Sequence, residues 1–590
     1  MFAIGGRGAI MYVTALRAHG FRNLHGDYPI CDPLSIVVGE NNAGKSNLVD
    51  ALRMVLEPEA GPSSRSRIWP EDFAHDGRGN VLADRLELEV QLGSLSEAEQ
   101  ARMVTCLAPS LGPGRARLRL HARLDPDGRV VPQWFGGDSS HPDVERHARA
   151  GVRYAYLQPL RDAVADLRPG RDNRLVALLS ALAPLGHPDR DRLIEEANRA
   201  NEAFGAIPAV EDAKSKVASR LAAMIGTGRF KQYTNLAFAD PRFERLVGAL
   251  RARIGQFDAL EMAENGLGFN NLLYMAVLLA ALADAPDDGV LRVLLVEEPE
   301  AHLHPQLQDL LMRFLEEEAD GGTQVIVTSH SPGFASSARV ERLTVIARPS
   351  GDARPVARAP RDFGLSVKQL GHLRRFLDVT KASLFFARAV ILVEGVSEQL
   401  LMPAIARRLG ISLPENGISI IDVGGVAFPP FTDLFGPGKL PYRLAVISDA
   451  DGDPEAEELE GSEPSLSPRA EALRGREGDN LKVELAPRTL EWALATQAQV
   501  NVEMMLDALV LVKPKVTERL RGELEGADLE TSADGLLEAV KDVKGRFAQE
   551  LADLLDDDPR EFVAPDFIGN ALRWVTEEQG VDEGIGESDG

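Results

Sequence analysis

The sequence predicts an α/β fold in two successive units, and three observations carry that prediction. The apolar strand LSIVV runs into a glycine-rich loop and a helix near residue 40. Two apolar strands, VLLVEEPE (293–300) and QVIVTSHS (324–331), belong with it and end in carboxylates and a histidine. A second alternation of strands and helices then begins at AVILVEG (389–395). Strands alternating with helical stretches are the pattern of a mostly parallel sheet with helices on its faces.

Taken in order, residues 11–60 read strand, strand, glycine loop, helix, with the first strand starting at Tyr12. Residues 81–135 alternate apolar and polar positions (LELEVQL, then ARLRLHARL), the period of an antiparallel lobe with one buried face. VRYAYLQ (152–158) reads as a strand, 172–260 as helical, and 268–285 as an apolar helix. LTVIARPSG (343–351) closes the first unit, and a polar Arg/Pro-rich connection follows. The second unit continues with a helix and the strands ISIIDVGG (418–425) and LAVISDADGD (444–453). The stretch 454–480, rich in Glu, Gly, Ser and Pro, reads as a mobile loop. The remainder reads as mostly helical, with a disordered acidic tail at 576–590.

Composition narrows the function classes. The chain has 590 residues, 44% of them apolar, so core burial does not limit it. Two cysteines, Cys31 and Cys106, give no disulfide framework and point to a reduced, cytoplasmic setting. The longest apolar run, Leu272 to Ala285, is about 14 residues, too short to span a bilayer. MFAIGGRGAI is too short and glycine-broken for a secretory signal, and Met11 is an alternative start. The net charge of -25 says little against a nucleic-acid partner, because such an enzyme needs only a local basic surface. Arg161, Arg168, Arg171 and Arg174, then Arg229 and Lys231, then Arg374 and Arg375 form basic clusters, each readable as a solvated helix face.

Gly39-Glu-Asn-Asn-Ala-Gly44-Lys45-Ser46 matches GxxxxGK[ST] between a strand and a helix. The glycines let backbone N–H groups wrap phosphates, and the helix N-terminus adds partial positive charge. Asn41, Asn42 and Asn47 fall within or beside this loop. Lys45 is expected on the β/γ phosphates of ATP and Ser46 on Mg2+. In VLLVEEPE, Glu297 is expected on the metal side and Glu298 on the attacking water, because phosphoryl transfer needs both roles. His330, at the end of the next strand, is placed to sense the γ-phosphate. His302 and His304 lack a cysteine partner, and no zinc site is read there.

Together these motifs resemble the ABC-ATPase superfamily in its RecF/SMC-like branch. The resemblance implies a head-to-head homodimer that sandwiches ATP against a signature loop. The matching loop is Asn265-Gly266-Leu267-Gly268-Phe269-Asn270, which lacks the serine of LSGGQ. Gln158 matches the Q-loop glutamine, and Glu297 stands where aspartate is commoner.

A second carboxylate set lies downstream. Glu394 ends one apolar strand, Glu398 follows in the first turn of the next helix, and Asp449, Asp451 and Asp453 end another. In a parallel sheet the strand C-termini converge on one crevice, so Glu394, Asp449 and Asp451 are expected to meet. Crowded carboxylates need cations, and hard oxygen ligands select Mg2+ or Mn2+. Read singly, Glu398 fits a helix-dipole role and DADGD fits a turn. The EF-hand pattern is absent, because the acidic run does not set a bidentate glutamate at its twelfth position between two suitable helices.

EG followed by DxD on successive strands resembles the Toprim domain of topoisomerases, primases and some nucleases. An ABC head joined to a C-terminal Toprim domain resembles the OLD (overcoming lysogenisation defect) family, over roughly 12–350 and 386–575. The resemblance implies that Thr489-Leu490-Glu491 supplies a further metal ligand, Glu491, and that Lys544 stabilises transition-state charge on a phosphate. It implies an ATP-hydrolysing, two-metal DNA endonuclease acting in defence against phage or foreign DNA, with Mg2+ or Mn2+ (Ca2+ in crystals). It further implies a homodimer or tetramer, with a UvrD-like helicase partner in some members. The alternatives are a RecF/SMC-like repair ATPase that binds DNA without cutting it, and a primase- or topoisomerase-like enzyme.

The expected fold is therefore an N-terminal ABC-ATPase head with an inserted helical dimerisation region, then a Toprim domain with helical additions. The expected boundaries are 1–171 and 261–375 for the two parts of the head, 172–260 for the insertion, 386–575 for Toprim and 576–590 for the tail.

Overall fold

The structure, a computed structural model, describes residues 11–56, 68–75, 81–125, 127–142, 144, 151–159, 167, 174–225, 232–237, 240–254, 260–261, 264–283, 290–349, 354–425, 428–450 and 466–577. Asp451, Asp453, Arg161, Arg168, Arg171, Arg229, Lys231, the first ten residues and the tail beyond 577 lie outside the described residues. The chain divides into two compact units, residues 152–303 and the rest.

Among the described residues the larger unit holds three sheets. The first is antiparallel, in the order Leu24–Pro29, Tyr12–Phe21, Arg85–Gly93, Ala116–Leu124, Val130–Gly136. Along Ala116–Leu124 buried and half-buried residues alternate, as side chains on opposite faces of a pleat must. Leu86, Leu88, Leu118 and Leu120 lie on the buried side, as the period-two pattern in the sequence requires.

The second sheet is built on strands with no exposed face. Leu34–Gly39 lies between Thr323–Thr328 and Leu343–Ala347, parallel to both, and all three are buried throughout. Such strands read as continuous apolar runs because helices cover both faces. Val356–Arg358 adds an antiparallel edge. The connection that follows is not simply loop: Val367–Phe376 is a helix whose cap, Ser366, pairs reciprocally with Gln369. That Ser-x-x-Gln start signal outweighs the polar composition.

The third sheet is four parallel strands in the order Ile418–Asp422, Ala389–Val393, Arg443–Asp449, Leu481–Ala486. The order reverses at Ala389–Val393, so the loops after this strand and its neighbours open a crevice at their C-terminal ends. The fourth strand departs from the mostly helical reading of the region after 480. It is short and only partly buried, which leaves little periodic signal. A further correction falls on 454–480. Pro468–Arg474 is a helix, with Ser467 as N-cap and Pro468 at its first position, rather than part of a loop.

Helices Val396–Arg408, Leu490–Ala495, Gln499–Val512, Leu529–Val540, Lys544–Asp557 and Asp566–Thr576 cover this sheet. They share a core with Leu401, Met505, Phe547, Leu551, Ile568 and Leu572 at its centre. Lys544–Asp557 packs on Val396–Arg408, and both helices begin at the crevice.

In the smaller unit, Leu291–Glu297 pairs in parallel with Val152–Leu157. Helices Arg174–Leu182, Pro188–Gly205, Pro208–Ile225, Phe243–Gly248 and Leu267–Ala283 accompany them. A short ladder, Arg253–Ile254 with Leu260–Glu261, interrupts the helical stretch read over 172–260. Among the described residues no helix is long and apolar enough to cross a membrane.

Candidate nucleotide and metal sites

In the larger unit the glycine loop joins the end of Leu34–Gly39 to helix Lys45–Leu56. Gly39 has φ +149°, and a Cβ there would stand 2.1 Å from the Ile346 carbonyl oxygen, so only glycine fits. Gly44, at φ +104°, would place a Cβ 2.8 Å from Asn23 Oδ1 and from Leu24 Cδ2. Asn42 adopts φ +61°, and Asn41 and Asn42 are exposed. Lys45 Nζ donates to the carbonyls of Gly39 and Glu40, both at 2.7 Å, which curls the ammonium back over the loop. Ser46 is exposed at the helix start, open to a cation.

A polar net stiffens this loop. Asn47 donates to Asn23 Oδ1 at 2.7 Å, and Asn23 donates to the Asn42 carbonyl at 3.2 Å. Arg22 reaches Asn47 Oδ1 at 2.7 Å, Asp50 at 2.9 Å and Asp72 at 2.8 Å. Glu40 is held by Arg388 at 2.8 Å and Arg348 at 3.5 Å. Sequence reasoning missed Arg22, Asn23 and Arg388, because none lies inside a motif. His330 follows the strand next to the loop's own, where the Ser329 N–H donates to the Val37 carbonyl at 3.0 Å. The loop and His330 therefore stand at the same end of adjacent parallel strands.

In the smaller unit, Glu297 ends its strand 2% exposed and accepts the Tyr156 hydroxyl at 2.6 Å. Glu298 is half-buried with φ +46°, a left-handed conformation that costs a non-glycine residue about 1 kcal/mol or more and recurs at functional sites. Gln158 is exposed just beyond the paired strand. Gly266 and Gly268 begin helix Leu267–Ala283. A Cβ on Gly268 would stand 2.7 Å from the His302 carbonyl, so this glycine allows a close approach of two backbones.

The C-terminal crevice gathers Glu394, Glu398, Asp449, Glu491 and Lys544. Glu394 Oε2 accepts Ser448 Oγ at 3.0 Å and the Asp449 N–H at 3.4 Å. Its Oε1 accepts Arg469 Nη1 at 3.1 Å. Glu398 takes the Gly395 N–H at 3.1 Å. Glu491, 3% exposed, accepts Lys544 Nζ at 3.0 Å.

The electrostatics show how closely these groups crowd. Burial, then the charges of Glu394, Glu398 and Glu491, push Asp449 up to about 8, against the opposing pull of Lys544. Burial, with Glu491 and Glu394, pushes Glu398 up to about 7. Burial alone would lower the Lys544 ammonium, but Glu491, Asp449 and Glu398 raise it above the usual lysine value. Asp449 senses Glu394, Glu398 and Glu491, and Glu398 senses Glu491 and Glu394, so residues more than 90 positions apart share one electrostatic site.

An all-oxygen donor set of this charge suits Mg2+ or Mn2+. Among the described residues, no three of the carboxylates form a ready metal-coordinating cluster. Arg469 and Lys544 instead take up oxygens of Glu394 and Glu491. Arg469 and Ser448 were not singled out from the sequence. Arg469 falls in the stretch read as loop, and its only local signal was the Ser467-Pro468 helix start.

Comparison with known proteins bears on both regions. The family model "AAA domain, putative AbiEii toxin, Type IV TA system" matches residues 148–336, which span Gln158, Gly266, Gly268, Glu297, Glu298 and His330. The model "Overcoming lysogenization defect protein-like, TOPRIM domain" matches 385–451, from the start of the crevice to Asp451. The OLD nuclease of Thermus scotoductus is 26% identical over 425 residues, 70% of this chain and 77% of that protein. An uncharacterized Escherichia coli protein, YbjD, is 24% identical over 455 residues, 75% of this chain and 80% of its own. Among solved structures, the C-terminal region of the Xanthomonas campestris pv. campestris OLD protein is 27% identical, covers 33% of this chain and 94% of that one, and has a TM-score of 0.25. With an AAA model on residues 148–336, an OLD-type Toprim model on residues 385–451 and an OLD nuclease similar over 70% of its length, the chain is similar to ATPase–Toprim proteins of the OLD type.

Proposed function

We propose that the protein is an ATP-hydrolysing, divalent-metal-dependent DNA endonuclease that defends its host against phage or foreign DNA. The observation that carries this reading is the crowding in the C-terminal crevice. Burial first, and then the charges of Glu394, Glu491 and their neighbours, hold the Glu398 and Asp449 carboxyls at about 7 and about 8. A site that disfavours its own ionisation is built for added positive charge.

Glu394, Glu398, Asp449, Asp451 and Glu491 would hold two Mg2+ or Mn2+ ions. When bound, such ions supply Lewis acidity to an attacking water and to the leaving 3′ oxygen. Lys544, at the start of its helix, places an ammonium beside the carboxylates, where negative charge builds on the phosphate. In the head, Gly39 to Asn47 would cradle ATP, with Lys45 on its phosphates and Ser46 on Mg2+. Glu297 would serve the metal, Glu298 the water and His330 the γ-phosphate. Gln158 and the loop holding Gly266 and Gly268 would complete the nucleotide site, the latter across a homodimer. We keep 172–260 as the dimerisation insertion and 386–575 as the Toprim domain. A cytoplasmic setting fits Cys31 and Cys106, both buried thiols outside any disulfide. Tetramers and a UvrD-like helicase partner remain within the proposal.

Plasmid cleavage with Mg2+ or Mn2+, read beside ATP hydrolysis, tests this. The wild type should nick or linearise the plasmid, and Asp449→Ala should stop cutting while ATP turnover continues. Lys45→Ala should stop ATP turnover. An intact plasmid with the wild type would leave a DNA-binding ATPase, and relaxation alone would indicate a topoisomerase.

A further inference from the structure

We propose that Arg469 is a phosphate-binding arginine of the C-terminal site, which competes with divalent cations for Glu394 Oε1. This inference rests on the nuclease reading above and adds a residue to it.

The argument starts from what holds the guanidinium. Arg469 is the second residue of helix Pro468–Arg474. Its Nη1 donates to Glu394 Oε1 at 3.1 Å and its Nη2 to the Gly425 carbonyl at 2.7 Å. Its Cζ lies 5.6 Å from the centre of the Phe428 ring. Gly425 is fixed in turn, because its N–H donates to the Glu394 carbonyl at 2.7 Å. Two of these anchors, the Gly425 carbonyl and the Phe428 ring, are uncharged and do not depend on the carboxylate.

The other oxygen of Glu394 is already engaged by Ser448 and the Asp449 N–H. Oε1 is therefore the side of Glu394 on which Arg469 and a cation meet. Glu394 cannot give Oε1 fully to a cation and keep Nη1 on the same lone pairs. Its withdrawal leaves an arginine still anchored on the Gly425 carbonyl and near the Phe428 ring, beside the carboxylate cluster.

A guanidinium presents five donors in a planar fork that matches the paired oxygens of a phosphodiester. The Arg469 side chain is 30% exposed, so a polyanion from outside can reach it. Lys544, pinned on Glu491, supplies the second cation of the site. The two positive groups thus engage different members of the cluster, Glu394 and Glu491.

The test uses the full chain without nucleotide and two variants, Arg469→Gln and Arg469→Lys. Mn2+ binding is measured by calorimetry, with the Glu394→Gln isotherm isolating this site, and DNA cleavage is resolved into kcat and KM. Arg469→Gln should bind Mn2+ on the order of fivefold more tightly, because a competing charged hydrogen bond is gone. It should cleave on the order of 100-fold more slowly, the loss typical of removing a donor to transition-state charge. Arg469→Lys keeps the charge without the fork and should recover only part of the rate. If Arg469→Gln binds Mn2+ as the wild type does, or more weakly, the competition is refuted and the arginine is structural. If it cleaves at the wild-type rate, the phosphate role is refuted. A wild type that never cuts, or an Asp449→Ala variant that still cuts, would refute the nuclease reading instead. Should Arg469→Gln fail to fold, by thermal melting and ATP hydrolysis, Arg469→Lys decides: wild-type kcat and KM overturn the proposal.

Discussion

Replacing Asp449 with asparagine should stabilise the metal-free protein at neutral pH, although Asp449 is placed at the centre of its chemistry. Burial and the charges of Glu394, Glu398 and Glu491 push its carboxyl up to about 8, while an unfolded aspartate titrates near about 3.9. The folded state thus holds a proton that the unfolded state has lost. Stability from this group is fully present below about pH 4 and disappears as pH rises through about pH 8. Each pH unit inside that window costs about 1.4 kcal/mol, so the span from about pH 5 to about pH 7.5 sets a ceiling of roughly 3 kcal/mol. Glu398, which burial and its charged neighbours push up to about 7, titrates together with Asp449 and shares the cost, which brings the expected difference to about 2 kcal/mol. Asparagine has nearly the same shape and no charge. Urea unfolding in EDTA, followed on the transition that Mn2+ shifts, should show the variant's advantage growing by that amount over the window. Mn2+ should then favour the wild type and reverse the order. An advantage equal at both pH values, or one that shrinks as pH rises, would refute the crowding argument.

Further outcomes follow from the same geometry. Mn2+ affinity should rise steeply between about pH 6 and about pH 8, because Glu398 and Asp449 shed protons to become ligands. Calorimetry in buffers of different ionisation enthalpy should detect roughly one released proton near pH 7. Gly44→Ala must place a methyl 2.8 Å from Asn23 Oδ1 at φ +104°, so ATP binding should be lost, with destabilisation of about 1–3 kcal/mol by thermal melting. Arg388→Glu breaks the pair with Glu40, but the arginine side chain is 65% exposed. Stability should therefore fall by no more than about 1 kcal/mol, measured in a double-mutant cycle with Glu40→Gln.

Motifs set on strongly apolar strands were legible in the sequence. Leu34–Gly39, Leu291–Glu297 and Ala389–Val393 are buried or nearly so along their length, and such runs announce both the strand and the loop at its end. The meeting of Glu394 with Asp449 also followed from parallel-sheet geometry, and Ser448 and the Asp449 N–H now join them. Leu481–Ala486 was not legible, since it is short and half-buried and its neighbours are turns. Arg469 was hidden for a different reason. Its importance comes from a contact 75 positions away in the chain, and local composition marked its surroundings as loop. Arg388 illustrates the same limit. Its partner, Glu40, lies 348 positions away, a pairing that no spacing rule reaches.

The most direct measurement is an anomalous-scattering map of crystals grown with Mn2+. Manganese peaks should stand among Glu394, Asp449 and Glu491, within ligand distance of their carboxylate oxygens. Manganese bound only elsewhere, with Arg469 still on Glu394 and Lys544 still on Glu491, would contradict the account.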